Sequence, residues 1–212
     1  KGNLTSKGDS AITGTAQNGG MGVNLGGSVS GNAPIKGTAH NGGTGVELHG
    51  EVSGGSITGS SDSGSGVTVS GASTTVNNVN VTGNTQSGSG VTIKGNLTNK
   101  GGSSLSGSAS GQGAGVTVSG TNSVLTDVAL KGNSASGTGV NITGNLTNSG
   151  SSSVTGAVQN GGTGVNLGGN VSGGSITGSS ATGSGVTVSG ASTTVSNVNV
   201  TGNTQSGSGV TV

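Results

Sequence analysis

The sequence predicts an all-β protein, a parallel β-helix (β-solenoid) of about nine coils of 21–25 residues with about three short strands in each. Three observations lead there. A glycine-valine step followed by alternating apolar residues returns nine times, at Val23, Val46, Val67, Val91, Val116, Val140, Val165, Val186 and Val210. Between these steps, short alternations of apolar and polar residues are separated by clusters of glycine, asparagine and serine, which are strand and turn signals. No stretch of about eleven residues or more carries the helical spacing of apolar positions, and strong helix formers are scarce, so a helical solenoid is excluded.

Within one unit the elements follow in a fixed order. Gly90-Val91-Thr92-Ile93 is the best-defined strand, Asn96-Leu97-Thr98 the second and Ser104-Leu105-Ser106-Gly107 the third. Val91, Ile93, Leu97 and Leu105 are placed to point inward and to stack on their equivalents above and below. Each buried aliphatic side chain contributes roughly 1.5–3 kcal/mol, and four or so per coil offset only part of the ordering entropy. Stability must then come from many stacked coils. At about 4.8 Å per coil, nine coils make a rod of roughly 43 Å. The absence of every aromatic residue fits a narrow interior that a large ring would force apart. Corners such as Asn41-Gly42-Gly43 and Asn160-Gly161-Gly162 suit positive φ, and asparagines superposed there would form hydrogen-bonded ladders.

A longer repeat assigns the two sides of the chain. Residues 44–92 match residues 163–211 at an offset of 119, five coils, and only six of the 49 positions differ. Those are Glu47/Asn166, His49/Gly168, Glu51/Asn170, Asp62/Ala181, Ser63/Thr182 and Asn77/Ser196. Val46, Leu48 and Val52 are unchanged as Val165, Leu167 and Val171. A buried column is spared and its outward neighbours vary. The whole of 1–212 therefore reads as a single β-helix repeat region.

Composition removes several alternatives. Only 25% of the 212 residues are apolar and 51 are glycine, a linker-like balance, yet the apolar residues are periodic and not scattered. Collagen needs abundant proline, and Pro34 is the single one. Six lysines, no arginine and five acids make 5% charge, without a basic stripe or stacking aromatics for nucleic acid. No apolar run approaches the roughly 20 residues that cross a bilayer, so membrane insertion is not expected. Absence of cysteine fits either a reducing cytosol or an exported chain that crosses an outer membrane unfolded. The chain opens on Lys1 without a signal-peptide pattern and ends on Val212 within a unit, which reads as a fragment of a longer protein.

Two groups of residues are candidate sites. Asn-x-Ser/Thr sequons begin at Asn3, Asn80, Asn96, Asn141, Asn145, Asn170 and Asn199, each with Leu, Ile or Val in the middle. An inward middle residue puts the asparagine and the hydroxyl outward together, accessible to modification; chance and duplication also produce sequons in so Asn- and Thr-rich a chain. The second group is polar: Glu47, His49 and Glu51 at alternate positions of one expected strand, with His40 and Asp62 nearby. Same-face residues two apart lie roughly 7 Å apart, too far to share a metal unaided, so surface variation is the expectation and neither metal nor cofactor is assigned. A polysaccharide-cleaving site needs clustered acids with a basic partner, and the carboxylates here are few and there is no arginine; no catalytic residue is assigned. Calcium-binding nonapeptide repeats need aspartates that are missing. Outward residues after the repeated valine (Asn24, Glu47, Thr68, Thr92, Thr117, Asn141, Asn166, Thr187 and Thr211) are mixed, unlike a flat threonine array for ice.

Gly-Val-Thr-Val-Ser-Gly, Gly-Asn-Leu-Thr-Asn and Val-Asn-Val-Thr-Gly resemble the repeat region of filamentous-haemagglutinin-like exoprotein adhesins released by two-partner secretion. The resemblance covers essentially the whole chain. It implies a right-handed parallel β-helix, secreted or held on the bacterial surface, and it decides the cysteine question in favour of export. It further implies an outer-membrane transporter as partner during secretion and host cell-surface glycans or proteins as partners afterwards. Sugars added to sequon asparagines by a cytoplasmic transferase are implied as well. The secretion-signal domain that defines the family is not in this sequence. The expected function is thus a non-catalytic adhesin shaft that mediates or presents attachment to host cells, with a passive spacer or filament as the alternative.

Overall fold

The computed structural model describes residues 2–7 and 10–212. Its strands form three nine-stranded sheets, and successive strands visit sheets 1, 2 and 3 in turn before returning to sheet 1. Sheet 1 runs from Leu4–Thr5 to Val195–Ser196, sheet 2 from Ile12–Ala16 to Asn199–Thr204, and sheet 3 from Met21–Leu25 to Val210–Thr211. Each strand pairs in parallel with the strand one coil away. This is a parallel β-solenoid of about nine turns with three strands per coil, as the periodicity predicts.

The repeated valines occupy one ladder. Val23, Val46, Val67 and Val91 pair in sequence, and the register continues through Val116, Val140, Val165 and Val186 to Val210. A second column two residues on contains Leu48, Val69, Ile93, Val118, Ile142 and Leu167, all buried. Sheet 2 contributes Ile35, Ile57, Val81, Leu105, Leu130, Val154 and Ile176, and Leu97 and Leu146 enter from sheet 1. The four residues expected to point inward, Val91, Ile93, Leu97 and Leu105, are fully buried.

Glycine explains why the repeat begins Gly-Val and not merely with valine. In sheet 2, Gly14, Gly37, Gly59, Gly83, Gly107, Gly132, Gly156, Gly178 and Gly202 stack in register. A Cβ on Gly59 would overlap the carbonyl of Gly66, and one on Gly107 that of Gly115; Gly66 and Gly115 are the glycines before Val67 and Val116. Conversely a Cβ on Gly66 or Gly115 would collide with sheet 2 backbone at Asn84 or Asn133. Sheets 2 and 3 thus meet backbone to backbone along two facing glycine columns. The remaining width, toward sheet 1, is what the aliphatic columns fill.

The corner between sheets 2 and 3 exists in two lengths, each with its own anchor. Where the valine lies six positions after the last inward residue of sheet 2, that residue carries a hydroxyl: Ser61, Thr85, Ser134, Ser180 and Thr204. Ser61 Oγ donates to the Gly43 carbonyl at 2.6 Å in the coil before and accepts from Gly64 N–H at 2.9 Å. Ser134 repeats this with Gly113 and Gly137 at 2.7 and 2.9 Å. Where the valine lies seven positions on, the residue is Ala16, Ala39, Ala109 or Val158. The short corner leaves an amide that a hydroxyl must satisfy, because an unpaired buried donor costs about 1–3 kcal/mol. At the corners anticipated to bend through positive φ, Asn41 and Gly42 do so, at 58° and 94°, while in the duplicate only Gly162 does, at 121°.

Candidate functional site

The polar cluster of the sequence divides over three edges of the rod. His40 follows the sheet 2 strand Pro34–Ala39, and Asp62 occupies the equivalent place one coil on; His40 Nδ1 lies 2.9 Å from Asp62 Oδ2, both side chains half-buried. Glu47 stands in the sheet 3 strand Thr44–Leu48, paired between Asn24 and Thr68. His49 lies just past that strand. Ser70 Oγ donates to Glu47 Oε1 at 2.7 Å and lies 3.1 Å from His49 Nδ1, while His49 Nε2 lies 3.5 Å from Glu47 Oε1.

Glu51 corrects the expectation that it shares one strand with Glu47 and His49. The strand ends at Leu48, the chain turns at Gly50, and Val52–Ser53 already belongs to sheet 1. A Cβ on Gly50 would meet the Gly27 carbonyl, so the corner packs coil on coil too closely for a side chain. Glu51 is exposed beside a groove of about 360 Å³ on sheet 1, whose walls include Ser30, Ser53, Asn77 and Lys100. Among the described residues no three His, Asp or Glu side chains come close enough to hold a metal ion.

Chemically, the Ser70 group is a knot between neighbouring coils. The hydroxyl proton goes to Glu47, which leaves the His49 ring to donate toward Ser70. A nucleophilic serine instead needs its proton directed at a base that a further group orients from behind.

The seven sequons lie on all three faces. Asn3, Asn96, Asn145 and Asn170 stand where the chain enters sheet 1, Asn80 and Asn199 begin sheet 2 strands, and Asn141 lies within sheet 3. The middle residues Val81, Leu97, Ile142, Leu146 and Val171 are buried, as expected; Leu4, in the first coil, is exposed. The carbonyl oxygen of the side chain is the atom that the next coil uses. Asn96 Oδ1 accepts from Asn122 N–H at 2.8 Å, Asn145 Oδ1 from Asn170 N–H at 3.1 Å, and Asn170 Oδ1 from Thr194 N–H at 2.8 Å. Asn145 Nδ2 also donates to Asn122 Oδ1 at 3.2 Å, and Asn166 Nδ2 to Asn141 Oδ1 at 2.9 Å.

Asparagine ladders therefore form along sheets 1 and 3, whereas at the glycine corner Asn41 Nδ2 donates to the Gln17 carbonyl of the coil before, at 2.9 Å, and among the described residues no asparagine–asparagine bond joins the corners. At the start of sheet 1 the N–H groups of Asn122, Asn170 and Thr194 take an amide side-chain oxygen from one coil back, whereas those of Asn96 and Asn145 take the backbone carbonyls of Ala72 and Thr121. A second groove of about 360 Å³ follows this ladder, walled by Asn122, Asn145, Thr147, Asn170, Ser172 and Thr194. It offers a line of neutral amides and hydroxyls.

Comparisons with known proteins stop short of a family: no protein-family model matches the chain, no curated protein matches it, and no solved structure matches it.

Proposed function

We propose that this chain is the shaft of a bacterial surface or secreted adhesin, carrying attachment to host cells through outward residues of the rod. What carries the reading is the division of the chain into an invariant inside and a variable outside. Across the five-coil duplication the inward columns are unchanged, and the exchanged residues Glu47, His49, Glu51 and Asp62 stand outward or at corners. A rod of stacked coils presents such residues in long rows at about 4.8 Å spacing, and solenoids use extended surfaces of this kind for binding. The Asn and Thr/Ser rows beside the sheet 1 groove suit hydroxyl-rich partners such as host glycans through neutral hydrogen bonds. Export through an outer-membrane transporter agrees with a chain free of cysteine.

The test is binding of the purified chain to epithelial cells and to a glycan array. Saturable binding supports recognition by the shaft. Uniformly null binding supports the second reading, a passive spacer or filament, which the uncharged stretch from residue 132 to 212 favours. Sugar on the sequon asparagines is part of the first reading. Oδ1 of Asn96, Asn145 and Asn170 serves the coil ladder, and Asn145 Nδ2 also bonds Asn122 Oδ1, so a sugar on Asn145 would share a nitrogen the ladder uses. Intact mass of natively produced protein above the polypeptide mass supports modification, and a mass equal to it overturns that part.

A further inference from the structure

The same four residues, Gln-Asn-Gly-Gly, stand at two corners between sheets 2 and 3, Gln17–Gly20 and Gln159–Gly162, and His40-Asn41-Gly42-Gly43 forms a third. The asparagine is exposed in all three. Asparagine is a chemically labile residue, and a following glycine makes it more so, because no Cβ shields its Cγ from the next backbone nitrogen. Identical local sequence gives Asn18 and Asn160 the same intrinsic reactivity, so any difference between them comes from the fold. We propose that Asn160 is a site of self-modification, converting through a cyclic imide to aspartate or isoaspartate, and that the neighbouring coils protect Asn18 and Asn41.

Each protected corner has one of its reacting atoms held. Gly19 N–H, the nitrogen that would attack, donates to the His40 carbonyl at 3.0 Å. Asn41 Nδ2, the nitrogen that would leave, donates to the Gln17 carbonyl at 2.9 Å. At Asn160 the main chain is engaged and the reacting atoms are not. Its N–H donates to the Ala135 carbonyl at 2.8 Å and its carbonyl faces Ser180 Oγ at 3.4 Å, whereas among the described residues neither its carboxamide nor Gly161 N–H enters a hydrogen bond. Water is the only co-reactant required. Hydroxide takes the Gly161 amide proton, the nitrogen bonds Asn160 Cγ, and the Cγ–Nδ2 bond breaks with ammonia as leaving group. Water then opens the imide: breaking the new bond gives aspartate, and breaking the original peptide bond gives isoaspartate, whose main chain is longer by a carbon. Either product puts a carboxylate into residues 132–212, which contain no charged side chain. The longer main chain also reaches the next coil, because the Gly162 carbonyl accepts from Ser180 Oγ at 3.1 Å and Ser180 Oγ accepts from Gly183 N–H at 3.0 Å.

The test is incubation of the folded chain in heavy-oxygen water at mildly alkaline pH, read by peptide mass spectrometry. Label should enter at Asn160, and at Asn18 and Asn41 on the order of three- to tenfold more slowly, the factor that one hydrogen bond supplies. In denaturant, Asn18 and Asn160 should take up label at equal rates. Hydrogen exchange at Gly183 N–H should quicken in chain converted to isoaspartate and keep the parent rate in Asn160→Asp, which carries the charge without the longer main chain. Equal rates at Asn18 and Asn160 in the folded chain overturn the proposal, as does an Asn160 that stays unlabelled while the denatured chain reacts. Unchanged Gly183 exchange in the isoaspartate form overturns the link to Ser180.

Discussion

Residues 44–92 and 163–211 are nearly the same sequence in two places, and the structure treats their insides alike and their surroundings differently. Val46 and Val165, Leu48 and Leu167, and Ile57 and Ile176 are buried in both. Farther along, Val76 and Val91 are buried while their copies Val195 and Val210 are exposed, because among the described residues a further coil stacks on the first pair and the second pair lies in the last coil described. Outside, the Glu47–His49–Ser70 knot of the first copy is replaced by the Asn166–Asn141 amide bond of the second. Burial in a solenoid is thus a property of the neighbouring coil as much as of the residue. Outward chemistry can change without disturbing the column behind it.

The largest effect should come from the facing glycines, and it should be equal in the two copies. Gly59 and Gly178 oppose the carbonyls of Gly66 and Gly185, with no flexible side chain able to move aside. Gly59→Val and Gly178→Val should each cost at least about 3 kcal/mol or prevent folding. Denaturant melts of the two variants measure this, and a melt unchanged from the parent in either would show that the sheets can separate there at little cost.

The covered and uncovered valines should separate next. Val91→Ala leaves a cavity beneath a stacked coil and should cost on the order of 2 kcal/mol. Val210→Ala, at the edge, should cost under about 0.5 kcal/mol. Equal losses would mean that Val210 is as well packed as Val91 in solution.

Serines at the short corners should again behave alike. Ser61 and Ser180 each link a carbonyl of the coil before to an amide three residues on, Gly64 or Gly183. Alanine at either should cost about 1–3 kcal/mol by leaving that amide unpaired. Faster hydrogen exchange at Gly64 N–H in Ser61→Ala is the direct readout; unchanged exchange would assign the anchoring to the backbone alone.

How much of this the sequence carried depends on whether a feature repeats with the chain or across it. The nine valines, their pairing and the inward Leu97 and Leu105 follow from periodicity alone, since each coil repeats the same alternation. The opposition of Gly59 to Gly66 was invisible as a contact, because period and spacing say nothing about which strands of one coil touch. The corner rule was legible: six residues with Ser61 and seven with Ala39 is a sequence difference that only needed counting. Glu51 was misplaced because Gly50 keeps step with the apolar alternation of Val46 and Leu48, and a glycine corner looks like one more strand position. The condition set for asparagine ladders at the glycine corners, superposition from coil to coil, is met instead at the start of sheet 1, since the composition of a turn does not show which amide its neighbouring coil leaves to a side chain.

The smallest effect expected is the one on which the functional reading depends most. Replacing Glu47 by Asn and His49 by Gly gives the first copy the residues of the second, removing the bonds to Ser70 and leaving Leu48 and the column untouched. Partly exposed polar contacts contribute little, water replacing them when they are lost, so the double variant E47N/H49G should melt within about 0.5 kcal/mol of the parent. The reverse exchange, Asn166→Glu with Gly168→His, should be equally mild. If outward residues carry recognition, the two exchanges should alter cell or glycan binding while leaving the melt unchanged. A loss of more than about 2 kcal/mol in E47N/H49G would instead show that the knot holds the Gly50 corner in place, and that this part of the outer surface is structural.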